Sequence, residues 1–142
     1  MSFEVLRDSI KTKLQGLSAI QTVYDYPTED FTGYPAAMVR SVGNESKYST
    51  TKDNERHYVF EIFIIQESES DLNSRRKARR IIESAIDDVI NAFDRDEYLS
   101  GISLPTNYTI VGIIPALSGI TDEEKYVVGK IELTIKIVYN VA

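Results

Sequence analysis

The longest regular pattern in the chain lies at its end. From Tyr126 to Val141 apolar and polar residues alternate. Val127, Ile131, Leu133, Ile135, Ile137, Tyr139 and Val141 fall on one face; Lys130, Glu132, Thr134, Lys136 and Asn140 fall on the other. A period of two predicts a half-buried β-strand. Strands usually run about 5–6 residues. One this long is expected to outrun its own sheet and leave backbone N–H and C=O groups in need of partners. A second strong strand is predicted over His57–Gln66. Tyr58, Phe60, Ile62 and Ile64 line one face there, and Val59, Phe63 and Ile65 the other, interrupted by Glu61. A strand apolar on both faces demands cover on both sides, and another subunit can supply the second cover.

Two stretches carry the helical period instead. Phe3, Leu6, Ile10, Leu14 and Leu17 predict a helix over Phe3–Leu17, with Ser2 as its cap, Glu4 suited to the positive end of the dipole and Gly16 at its exit. Ala78, Ile82, Ala85, Ile86, Val89 and Phe93, widened by Ile81 and Ile90, predict a longer amphipathic helix from about Leu72 to Phe93. Between these elements lie a short strand over Gln21–Tyr26 ended by Pro27, a loop over residues 27–35 and a strand over Ala36–Val42. The polar stretch Gly43–Asn54 is either a long hairpin tip or a mobile loop. After the second helix come a loop over Asp94–Asn107, a strand over Tyr108–Ala116 with Pro115 marking a bulge or edge, and an acidic turn over Ser118–Lys125. The order α-β-β-β-α-β-β with short connections predicts a single α+β domain. A mainly antiparallel sheet of about four to five strands would carry both helices on one face.

Composition narrows the function. A chain of 142 residues is long enough to bury a core. With a formal net charge of −6, bulk electrostatics favour neither nucleic acid nor an anionic membrane. There is no cysteine, which removes disulfides and thiolate metal sites. No apolar run reaches the roughly 18–20 residues of a membrane span, and charges interrupt the apolar pattern of the N-terminus. The expectation is a soluble intracellular product with no membrane partner.

The chemistry-bearing groups are sparse. His57 is the single histidine, with no cysteine to complete a metal set. The carboxylates at Asp87–Asp88, Asp94/Asp96/Glu97 and Asp122/Glu123/Glu124 match no calcium-loop pattern. No phosphate-binding, nucleophile-elbow or dinucleotide-binding glycine motif is present. Carboxylates alone can hydrolyse glycosides, but the chain has no tryptophan to offer a sugar platform. The reading is a non-enzyme with no cofactor and no metal.

Charge on the second helix is ordered against its dipole. Arg75, Arg76, Lys77, Arg79 and Arg80 stand at its start; Glu83, Asp87 and Asp88 lie in its distal half, followed by Asp94, Asp96 and Glu97. Each such placement is unfavourable by about 0.3–1 kcal/mol. Arg79–Glu83 and Arg80–Asp87 spacings offset part of this through intrahelical pairs, and the upstream acids Glu67, Glu69 and Asp71 screen the basic end. Three readings remain open: a solvated face, a dipolar surface that meets its own copies head to tail, and a nucleic-acid footprint, which lacks interleaved aromatics. Of the nine tyrosines, Tyr26, Tyr34 and Tyr48 lie in loop-like sequence and are interface candidates. Tyr58, Tyr108 and Tyr139 fit ordinary strand composition.

The layout as a whole resembles the tail terminator (tail completion) proteins of long-tailed bacteriophages. An N-terminal helix leads to a strand and a Tyr-Pro segment, TGYPAAMVR. A polar loop, an apolar strand RHYVFEIFII, a helix ARRIIESAIDDVI, a charged turn and a final strand GKIELTIKIVY then follow. The resemblance implies a homo-oligomeric, six-membered ring at the head-proximal end of the tail tube. Such a ring stops tube growth, docks the head–tail connector or neck protein, and surrounds a channel that DNA passes without sequence-specific binding. The location implied is the virion, after assembly in the host cytoplasm. The candidate subunit or tube interface is then Tyr26, Tyr34, Tyr48, Lys52, Arg75, Arg76, Arg79, Arg80, Asp87, Asp88, Asp94 and Asp96. Other neck or head-completion proteins share the layout. A small nucleic-acid-binding module using Arg75–Arg80 is the alternative of another class.

Overall fold

The structure, a computed structural model, describes residues 3–26, 31–48, 53–95, 99 and 104–140. The elements run α1 (Phe3–Gln15), β1 (Thr22–Tyr24), β2 (Ala36–Tyr48), β3 (Asp53–Glu67), α2 (Leu72–Arg95), β4 (Tyr108–Asp122) and β5 (Tyr126–Asn140). One five-stranded sheet has the order β1-β2-β3-β5-β4. Every pairing is antiparallel except the short parallel contact of β1 with β2. Both helices lie on one face of it, so the predicted α+β class and element order hold.

Three strands run longer than the sequence pattern predicts, while β1 is shorter, Thr22–Tyr24 against the expected Gln21–Tyr26. β2 continues through Gly43 to Tyr48, paired with Val59 back to Asn54 after a bulge at Val42. β3 therefore begins at Asp53. These arms have no apolar signature in sequence, and the cross-strand ladder between them holds them extended. β4 runs on to Asp122, past two bulges at Val111 and Ser118, so the acidic turn shrinks to residues 123–125.

These extensions overturn the expected overhang of the last strand. β5 lies inside the sheet, with Asp53–Glu67 laddered along one side and Tyr108–Asp122 along the other. Its neighbours are as long as it is, so its backbone groups find partners within the chain.

The core lies between sheet and helices. Val127, Ile131, Leu133, Ile135 and Ile137 of β5 and Tyr58, Phe60, Ile62 and Ile64 of β3 meet Leu6, Ile10 and Leu14 of α1 and Ala78, Ile82, Ile86, Val89 and Phe93 of α2. Phe3 sets its ring edge-on to Tyr58 at 5.1 Å and to Phe60 at 5.6 Å, tying the start of α1 to the middle of the sheet. Ser2, expected to cap α1, lies outside the described residues. α2 is capped by Asp71. Its carboxylate accepts hydrogen bonds from the Ser74 amide (3.0 Å) and hydroxyl (2.7 Å), which hold the carboxyl below its usual range.

α2 crosses β5 at Gly129, and the crossing depends on that residue having no side chain. A Cβ there would stand 2.5 Å from Ile86 Cδ1 and 2.9 Å from Ile82 Cγ2. We expect Gly129→Ala to lower stability by about 1–3 kcal/mol through overpacking. Chemical denaturation read by circular dichroism checks this; an unchanged midpoint would show that α2 can lift without loss.

Candidate assembly interface

The sheet face away from the helices has no second layer among the described residues. Met38, Arg40, Val59, Glu61, Phe63, Val128, Lys130, Glu132, Thr134 and Lys136 share it by register. The doubly apolar β3 was expected to need cover from elsewhere, and part of that cover comes from charged side chains of this chain. Arg40 lays its guanidinium over the Phe63 ring at 5.4 Å. Glu61, buried, pairs with both Arg40 on β2 and Lys130 on β5. Burial pushes the Glu61 carboxyl up, but the hydrogen bonds from Lys130 and Arg40 and the two positive charges outweigh it, and the net shift is downward. The residue that looked like a break in an apolar run is thus the centre of a three-strand ion pair.

At the start of β5 five aromatic rings gather. Tyr24 meets Tyr26 and Phe31 edge-on, and Phe31 meets Tyr34 and Tyr126 at 5.9 and 6.0 Å. Tyr34 also packs on Tyr126. Its phenol is pushed up to about 12, first by burial and then by its hydrogen bond with Tyr126 and neighbouring charge. Of the tyrosines proposed for an interface, Tyr26 is 57% exposed and accessible, whereas Tyr34 is tied into the cluster. The side chain of Tyr48 and the whole of Lys52 and Asp96 lie outside the described residues. At the opposite end Tyr108 and Tyr139 stack at 4.7 Å, with the Arg56 guanidinium 5.8 and 5.7 Å from the two rings. The nearby His57 imidazole sits 3.0 Å from the Glu55 carboxylate.

The structure divides the basic start of α2. Arg75 donates to the carbonyls of Tyr126 (3.0 Å) and Glu124 (2.6 Å), so it closes the β4–β5 turn against the helix and serves the fold. Arg76, Arg79 and Arg80 are exposed, as are Asp87, Asp88 and Asp94. The intrahelical pairs expected for Arg79–Glu83 and Arg80–Asp87 do not form: among the described residues no ion pair links the two ends of α2. In water the attraction between such long side chains is about equal to the entropy lost in holding them. Arg76, Arg80, Asp87 and Asp94 fall along one outward stripe, with about 10 Å along the axis between Arg80 of its basic half and Asp87 of its acidic half at 1.5 Å per residue.

Among the described residues no cluster of three or more acidic or histidine side chains could hold a metal ion, and no helix is long and apolar enough to cross a membrane. Compared with protein-family models and with curated proteins, the chain matches none.

The Glu61 ion pair carries a pH signature. A carboxyl lowered by folding adds stability that is present above its ordinary value of 4.5 and is lost as pH falls through the folded value. We expect the thermal midpoint to drop on acidification below about pH 4.5, and Glu61→Gln to lower stability near neutrality by about 1–2 kcal/mol while flattening that acid limb. An acid limb of unchanged slope in the variant would assign it to other carboxylates.

Proposed function

We propose that this protein is a structural component of a bacteriophage virion, a tail terminator. Its copies would close into a ring of six at the head-proximal end of the tail tube, halt tube growth and present a docking surface to the head–tail connector. The observation that carries this reading is the outward stripe of α2. Its basic half and its acidic half are both exposed, both unpaired among the described residues, and separated along one line. In a ring each copy presents its basic half to its neighbour's acidic half, a heterologous contact that repeats around the axis. Such pairing also removes the unfavourable arrangement of charge against the helix dipole.

Several further features support the reading. The protein's distinctive surfaces are a broad sheet face dressed with paired charges, an aromatic cluster ending in exposed Tyr26, and a hairpin of β2 and β3 that extends beyond the apolar part of those strands. Each suits contact with a large protein surface. The hairpin and the Tyr26 end would meet the tube protein or the connector, and DNA would pass through the ring without sequence-specific binding.

The test is charge reversal. Arg76→Glu with Arg80→Glu should raise the concentration needed for assembly at least tenfold in native mass spectrometry. Adding Asp87→Lys and Asp94→Lys to the same chain should restore it. Assembly indifferent to the reversal would remove this interface. Retention of duplex DNA by the wild type, falling steeply with salt and abolished by the reversal, would move the function to a nucleic-acid-binding module.

A further inference from the structure

A sheet has two edges, and in this one both are open among the described residues over much of their length. β1 pairs only with Ala36–Met38, so the side of β2 away from β3 is unpaired from Val39 to Tyr48 among the described residues. β4 closes the other side, and its outer edge is likewise unpaired among the described residues. At about 3.4 Å per residue β4 presents an edge some 50 Å long.

That edge carries two bulges and Pro115 but not the charged side chains that usually complete its protection. Exposed edge strands are normally guarded by charged side chains, because a long apolar edge invites other strands. From Tyr108 to Thr121 β4 contains no Asp, Glu, Lys or Arg. Val111, Ile114 and Leu117 on it are 46%, 48% and 50% exposed. On the β2 edge Val42, at the bulge, is 55% exposed. Among the described residues, four of the six large exposed apolar side chains thus sit on these two strands; Tyr26 and Leu72 are the others.

Strand direction says what fits. β2 and β5 run one way, β3 and β4 the other. Rotation about an axis along the strands preserves these directions, so the β4 edge of one copy meets the β2 edge of the next antiparallel, the more stable pairing. The bulges at Val42, Val111 and Ser118, with Pro115 between the last two, restrict laddering to short regular runs. A partner must match those runs, which selects a specific strand over an arbitrary one.

We propose that the β4 edge of one copy pairs with the Val39–Tyr48 edge of a second copy. The contact is head to tail and makes the sheets of neighbouring subunits continuous. The proposal rests on the ring reading and identifies the backbone contact within it. The helices of all copies then lie on one side of the continuous sheet, and the faces bearing Arg40, Glu61 and Lys130 lie on the other.

The absence of native cysteine makes the test direct. Val42→Cys and Ile114→Cys are made singly and together, and treated at assembling concentration with a short bis-maleimide. The expected result is a ladder of covalent multimers from the double variant and none from either single variant. In parallel, Ile114→Lys should raise the assembly concentration at least tenfold, while Leu72→Lys, exposed but away from both edges, leaves it unchanged. Both sites are exposed, so circular dichroism of either lysine variant should match the wild type. Rings that form without a ladder and tolerate Ile114→Lys would overturn the edge pairing while leaving the ring intact. Ladders from a single variant would mean a symmetric two-fold contact and overturn the head-to-tail arrangement. Open filaments that give the expected ladder would uphold the edge pairing and refute the closed ring. A wild type that stays monomeric at every concentration would refute both.

Discussion

The rest of this structure depends on β5 being hydrogen-bonded along its whole length on both sides. A 15-residue strand in the middle of a sheet needs two neighbours of equal length, and β3 and β4 provide them. That requirement draws polar residues such as Asn54 and His57 into β3 and draws β4 past its bulges to Asp122. It also forces α2, which is shorter than the strands, to lie closely along the centre of the sheet. Gly129 makes that approach possible. Arg75 then locks the start of the helix to the β4–β5 turn, so the strand at the centre also positions the charged stripe that faces outward.

Much of this was legible in the residue pattern, and the limits have physical causes. The alternation of Val127–Tyr139 and the helical stripe of Ala78–Phe93 report burial, and burial is what periodicity records. The arm from Gly43 to Tyr48 is polar in sequence, so its strand character is seen in its ladder to β3, which no local pattern encodes. Glu61 looked like a flaw in an apolar run because its partners, Arg40 and Lys130, come from two other strands. Arg75 was grouped with Arg76, Arg79 and Arg80 because spacing along a helix cannot show that one of them meets the carbonyls of a turn 49 and 51 residues away. The charge reversal along α2 was visible in sequence; that its halves do not satisfy each other within the chain required the structure.

A common logic joins the proposed surfaces. In the proposed ring the charged stripe of α2 would attract a neighbour and set its orientation, since electrostatic contacts govern encounter and register more than affinity. The uncharged edge of β4 supplies apolar area and backbone donors that are costly to leave unsatisfied once water is excluded. The Arg40–Glu61–Lys130 network keeps the broad sheet face polar, which discourages indiscriminate face-to-face stacking of β3's apolar residues. Assembly would thereby be directed to the edges and the helix, where a rotation rather than a two-fold axis relates the copies.

The most direct test of this account is the mass of the wild-type protein by native mass spectrometry across a concentration series, with negative-stain images of the same samples. The account predicts a single closed stoichiometry, a hexamer seen as rings, replacing the monomer as concentration rises. A protein that remains monomeric throughout, or that forms only symmetric dimers, would contradict it.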